Sequence, residues 1–124
     1  MSAEFDHVEG YLPGYSGAIT LTAAEIDATP WQSFREQPGV QVRELWRSRD
    51  GVAGLLRLEP GAQEPEHTHQ SGHHHQWIVE GTATVGGARL GPGAYIHFPA
   101  GLPHAIDHVG PEGCTMYFVY QRRV

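Results

Sequence analysis

An all-β fold, built from short strands that close into a sandwich or barrel, is what this sequence predicts. Three observations lead there. Glycine and proline together supply 16 + 9 = 25 of 124 residues, about one in five, a density that suits many tight turns between short strands. From Val40 onward the apolar residues recur with strand-like alternation, and each such run is bounded by Gly or Pro,. The length of 124 residues fits one domain with a single core.

The elements follow in order. Residues 1–20 show no clear period. Phe5, Val8, Tyr11, Leu12 and Tyr15 have no local pattern that would bury them, so this stretch is expected to drape over the surface or to complete the sheet of a neighbouring subunit. Thr22-Ala-Ala-Glu25 has the form of a capping box, and Pro30 holds any helix there to about two turns,. Trp31 and Phe34 then read as anchors pinning the segment to the β domain. Val40 to Arg47 alternates, Asp50–Gly51 is a hairpin turn, and Val52 to Leu58 runs back,. Pro60–Gly61 turns the chain into a histidine-rich segment. Further strands are expected at Trp77–Glu80, Thr82–Val85, Tyr95–Phe98, Ala105–Val109 and Thr115–Tyr120. The organisation is thus an N-terminal extension, 1–35, and a β domain, 36–124.

Charge and cysteine usage narrow the function classes. The formal net charge is −6, and all eight cationic residues are arginine. An acidic chain without a basic cluster argues against nucleic acid or an anionic membrane as partner. No apolar run approaches the roughly 20 residues of a membrane-spanning helix, and the polar, acidic Met1–Gly10 does not read as a signal peptide. The single Cys114 excludes an internal disulfide, making a reducing cytoplasm the expected compartment and a small buried hydrophobe the expected role.

Eight of the nine histidines lie between Gly61 and His108. His67 and His69 are two apart, so on a strand both imidazoles point to one face. His74 follows, and His104 comes just after the Pro99-Ala100-Gly101 turn. Neutral imidazole is the commonest side-chain ligand for first-row metals, and these four spacings suit one ion. Alternation sends His73 and His75 away from the face of His74. His97 and His108 are expected to support structure, and Glu80 to cap the Gly81 turn. The aromatic residues Tyr95, Phe98, Tyr117, Phe118 and Tyr120 are strand packing by default. Gln76, Ile78, Phe98, Tyr117 and Leu56 are candidates to line a cavity above the metal. Arg57 could pair with a substrate carboxylate there, although an outward, salt-bridged position is favoured for it. The sequence identifies no general acid or base.

Two stretches then carry a family resemblance covering roughly residues 40–121. Gly61-Ala-Gln-Glu-Pro-Glu-His67-Thr-His69, with His74 and Ile78-Val-Glu80-Gly81, resembles the first cupin motif. Gly93-Ala-Tyr-Ile-His-Phe-Pro99-Ala-Gly101-Leu-Pro-His104 resembles the second. The resemblance implies a jelly-roll barrel with a metal inside it, held by His67, His69, His74 and His104. It also implies a departure, since most cupins have Glu where this chain has His74. An all-histidine shell is neutral and leaves the full charge of a divalent ion to attract an anionic ligand; without metal binding by His74 the site would have three histidines. The metal-binding motifs and the lead-in from Trp31 look like those of acetylacetone-cleaving and dihydroxyacetophenone dioxygenases, and like the cupin domain of zinc-binding anti-sigma factors. The first likeness implies an iron(II) dioxygenase acting on a small chelating carbonyl compound; zinc, nickel, manganese and copper are alternative ions. The second implies a non-catalytic zinc or small-ligand binding module. Small cupins commonly pair sheet against sheet, so a homodimer is expected.

Overall fold

A computed structural model describes residues 19–69 and 72–122. Phe5, Val8, Tyr11, Leu12 and Tyr15, expected to complete a neighbour's sheet, lie outside the described residues. The chain order is α1 (Ala23–Ala28), β1 (Gln32–Ser33), β2 (Val40–Ser48), β3 (Gly51–Leu58), β4 (Glu64–His67), β5 (Gly72–Gly81), β6 (Ala83–Val85), β7 (Ala88–Leu90), β8 (Tyr95–Phe98), β9 (His104–Asp107) and β10 (Cys114–Arg122). The strands form two antiparallel sheets, one ordered β1-β2-β3-β10-β5-β8 and one ordered β4-β9-β6-β7. This is the all-β jelly roll expected for a cupin.

Alternation decides what the sheets enclose. On β10, Cys114, Met116, Phe118 and Tyr120 are buried, while the intervening Thr115, Tyr117 and Val119 face outward. Val42 and Leu56 of the same sheet, Val85 and Ile106 of the other sheet, and Phe34 belong to the same buried core. At the β5 end, Gly81 takes φ +76°, and a Cβ there would stand 1.9 Å from the carbonyl oxygen of Gly113. Only glycine fits so close a backbone approach in the left-handed region.

The lead-in behaves as its residues dictate. Thr22 and Glu25 make the reciprocal capping box, and α1 stops short of Pro30,. Phe34 is fully buried, and Trp31 is covered by the Arg43 guanidinium, 4.3 Å above its ring,. Because β1 pairs with β2 through Gln32↔Val42 and Ser33↔Gln41, the last residues of the expected 1–35 extension are part of the larger sheet.

The histidine tract departs most from expectation. The strand expected at Trp77–Glu80 begins five residues earlier, at Gly72, β1 and β7 are additional, and β4 includes His67 but not His69. The inner residues of β5 run His74, Gln76, Ile78, so a strand lining a polar interior lacks the apolar alternation by which strands are recognised. Strand β9 starts at His104 and ends at Asp107, one residue earlier and two residues shorter than expected at its respective ends. No helix among the described residues is long and apolar enough to cross a membrane.

Candidate metal centre

Strands β4, β9 and β5 converge on one patch of the barrel interior. His67 ends β4 and sits directly opposite His104, the first residue of β9. His69 lies just beyond β4 rather than on it, yet it reaches the same side because the Gly101 N–H donates to its carbonyl at 2.9 Å. That bond ties the His67-Thr-His69 segment to the turn that delivers His104. The resulting imidazole centroids lie 4.4 Å apart for His67–His104, 4.8 Å for His67–His69 and 5.3 Å for His69–His104. Ligand atoms of these three residues all fall within 4.8 Å of one another. Three histidines so placed can hold one metal ion.

The protein also fixes which nitrogens face the centre. His67 Nδ1 lies 2.8 Å from the Pro65 carbonyl, and His104 Nδ1 lies 3.1 Å from the Leu102 carbonyl. A carbonyl only accepts, so both Nδ1 atoms carry the proton and both Nε2 atoms present a lone pair inward. His104 Nε2 is buried with no hydrogen-bond partner among the described residues. His67 Nε2 stands 3.1 Å from His69 Nε2. Donors at roughly 2.0–2.1 Å from a shared ion are about 2.9–3.4 Å apart at neighbouring positions, so the donor set fits a divalent ion.

Burial favours the neutral form of His104 and His74, the form that coordination requires. It pushes His104 down to about 4 and His74 well below the ordinary imidazole range, with neighbouring imidazoles adding to the His74 shift. Burial acts the same way on His67, but the Glu64 carboxylate outweighs it and the net displacement is upward.

His74 is buried on the inner face of β5, with centroids 5.2 Å from His69 and 5.8 Å from His104. It stands outside the compact group of three, and its Nε2 is 3.5 Å from the Gln76 amide nitrogen. The walls are aromatic: Phe98 stacks on His104, Tyr120 lies 5.3 Å from His69, and Phe118 lies 5.9 Å from His74.

The residues expected to line the cavity divide between two faces. Gln76, Ile78, Phe98 and Leu56 are buried. Tyr117 and Arg57 are not cavity residues; both are exposed on the outer face of the larger sheet. The reason is the strand period of two, which turns Tyr117 away from its buried neighbours Met116 and Phe118, and Arg57 away from Leu56 and Leu58. His73, His75 and His97 also lie outside, where His73 Nδ1 approaches His97 Nε2 at 3.0 Å and His75 Nδ1 meets the Tyr95 hydroxyl at 2.7 Å. His108 is exposed beside Asp107. Glu64, which the sequence reading passed over, is 2 % exposed on β4, with Oε1 at 3.0 Å from His67 Nε2. It lies inside the first-motif stretch, but its odd offset from His67 means that strand alternation does not place it on the same face.

The profile of the ChrR cupin-like domain matches residues 20–124. No match was found among curated proteins. Among solved structures, KdgF from Halomonas sp. superposes with a TM-score of 0.69 at 22% identity, over 87% of this chain and 96% of that one. The polyketide cyclase RemF from Streptomyces resistomycificus gives 0.69 at 21% identity, over 82% and 80%. The anti-sigma factor ChrR of Rhodobacter sphaeroides, in complex with SigE, gives 0.64 at 20% identity, over 77% of this chain and 50% of that one. At these identities the likeness is one of fold.

Proposed function

Because this chain belongs to the ChrR cupin-like family, we propose that it is a metal-dependent cupin whose histidine centre acts on a small chelating carbonyl compound, as an iron(II) dioxygenase. The observation that carries this reading is the convergence of His67, His69 and His104, with the Nδ1 protons of His67 and His104 held by backbone carbonyls and the Nε2 atoms of His67 and His69 3.1 Å apart. His67, His69 and His104 would hold the ion and leave part of its coordination shell for a small oxygen ligand. When bound, the ion supplies an electrophilic, redox-active centre.

The chain's own residues bind and orient. Phe98 holds the His104 ring in plane, and Tyr120 and Phe118 exclude water from the inner wall. Gln76 Oε1 is buried without a hydrogen-bond partner among the described residues, so its amide can orient a polar ligand group. Metal analysis of freshly purified protein, followed by oxygen uptake with β-dicarbonyl and hydroxyaryl ketone compounds, tests the reading. Oxygen consumption by the iron(II) form that is absent from His104→Ala supports it.

The second reading is a non-catalytic zinc or small-ligand binding module. It is favoured by the further donors Glu64 and His74, buried beside the triad, because a fourth protein ligand closes a tetrahedral zinc site. Native zinc with no oxygen uptake decides for it. We also propose a homodimer formed through the outer face of the larger sheet, where Trp77, Val79, Tyr95 and Tyr117 are each at least 40% exposed,.

A further inference from the structure

We infer that Glu64 is the fourth protein ligand of the metal centre, so that the acidic donor of this site comes from three residues before His67 and not from the position that His74 occupies. The inference rests on the three-histidine centre described above.

The local chemistry is specific. His67 Nδ1 gives its proton to Pro65, so Nε2 offers a lone pair. Yet that lone pair faces the Glu64 carboxylate, with Oε1 at 3.0 Å. A carboxylate oxygen only accepts, so the pair calls for an electrophile between them, which is a proton in the metal-free protein and a cation in the loaded one. The Glu64–His67 separation also matches the roughly 2.9–3.4 Å between neighbouring donors on one ion.

Burial strengthens the case. Glu64 is 2 % exposed, and its Oε2 has no hydrogen-bond partner among the described residues. A carboxylate taken out of water and left half-satisfied is costly unless it is paired or coordinates a metal. No arginine or amide among the described residues donates to it through a hydrogen bond, and its ion-pair partner is the metal-facing nitrogen of His67. Position agrees as well. Glu64 and His67 are the first and last residues of β4, pairing with Ile106 and His104 across a register shift between them. That irregularity brings both side chains to the interior although an odd offset separates them. Both Glu64 and His74 stand outside the compact group of three, but Glu64 Oε1 is at 3.0 Å from a metal-facing nitrogen, whereas the His74 Nε2 is 3.5 Å from the Gln76 amide nitrogen.

The consequence is electrostatic. With one carboxylate the shell carries a single negative charge, so a divalent centre keeps a net charge of one. A monoanionic two-oxygen chelator neutralises it, and a dianionic one overshoots. This replaces the neutral shell expected from four histidines.

The test is a competition titration of the full chain with zinc(II), together with the visible spectrum of the cobalt(II) form and thermal unfolding of the metal-free protein. Glu64→Gln should lower zinc affinity by more than the roughly 100-fold that bounds loss of an outer-shell partner, and should change the cobalt spectrum. It should leave the metal-free melting temperature unlowered, because the amide N–H can donate to His67 Nε2. His74→Gln should cost less than about 10-fold, the lower end of the same range. Wild-type affinity and spectrum in Glu64→Gln would overturn the inference and leave the three-histidine centre standing. So would loss of affinity in His74→Gln instead, or equal destabilisation of the metal-free and loaded Glu64→Gln protein, which marks a merely structural carboxylate. Failure of the wild-type chain to bind zinc or cobalt would remove the centre itself, and this inference with it.

Discussion

The Phe98 ring lies flat against the His104 imidazole, with centroids 4.0 Å apart and planes inclined by 8°. The two side chains come from opposite ends of the Pro99–Pro103 turn, so the sharp turn of the second motif folds one onto the other. Phe98 also pairs across β8 with His74. One aromatic residue thereby links the strand that carries the outlying imidazole to one histidine of the triad.

Replacing Phe98 should therefore loosen the metal ligand as well as the core. Phe98→Leu is expected to destabilise the metal-free protein by about 1–3 kcal/mol through the change of shape. It should weaken zinc binding by roughly 10–100-fold, the range seen when a ligand loses its orienting contact. Denaturant unfolding and metal titration check the two parts separately; unchanged metal affinity in a destabilised variant would show that the stacking holds the core alone.

The metal-free protein should lose stability on mild acidification. His104 is held down to about 4, chiefly by burial, and His74 is held well below its ordinary value by burial and its neighbouring imidazoles, while an unfolded imidazole titrates near 6.5. Below that value the unfolded chain takes up protons that these two native residues refuse, so their contribution is present above about pH 6.5 and fades toward pH 4. His67 acts with the opposite sign, since its pKa is raised and its contribution is lost as pH increases through the native value. Two lowered groups against one raised group give a falling melting temperature between pH 7 and pH 4.5, measured with a chelator present. A rise over that interval would contradict the account.

Cys114 should be inert in the native state. Burial pushes its thiol up to about 11, so almost no thiolate exists near neutrality. Iodoacetamide at pH 8 should label it only after denaturant is added, as followed by intact mass. Rapid labelling of the folded protein would mean that the Gly81–Cys114 end of the sheet opens readily.

The outer aromatic face gives an oligomer test. Trp77→Glu and Tyr117→Glu place like charges on adjacent, directly paired strands at the centre of the exposed patch. Light scattering at tens of micromolar should return a dimer mass for the wild-type chain and a monomer mass for the double variant. A monomeric wild-type chain would count against pairing through this face.

The jelly roll was legible because most of its strands carry the period of two and end on glycine or proline, and the two histidine motifs added the family. The rest is hidden by the same logic. The first half of β5 carries no apolar signal because its interior side is written in His74 and Gln76. Tyr117 looked like a cavity residue since aromatics face either way on a strand, and only the pairing register decides. Glu64 was invisible for a different reason: the register shift in β4 sets its direction, and no spacing rule encodes a bulge. His69 reached the centre even though it lies off the strand, because a single backbone bond to Gly101 places it.

The central claim is that His67, His69 and His104 hold one metal ion inside the barrel. Its most direct test is the stoichiometry of cobalt(II) or zinc(II) bound by the purified chain in equilibrium dialysis, compared with His104→Ala. The account predicts one tightly held ion per chain in the wild type, and loss of that ion in a His104→Ala variant that still folds. Retention of the ion by folded His104→Ala, or no bound ion in the wild type, would contradict it.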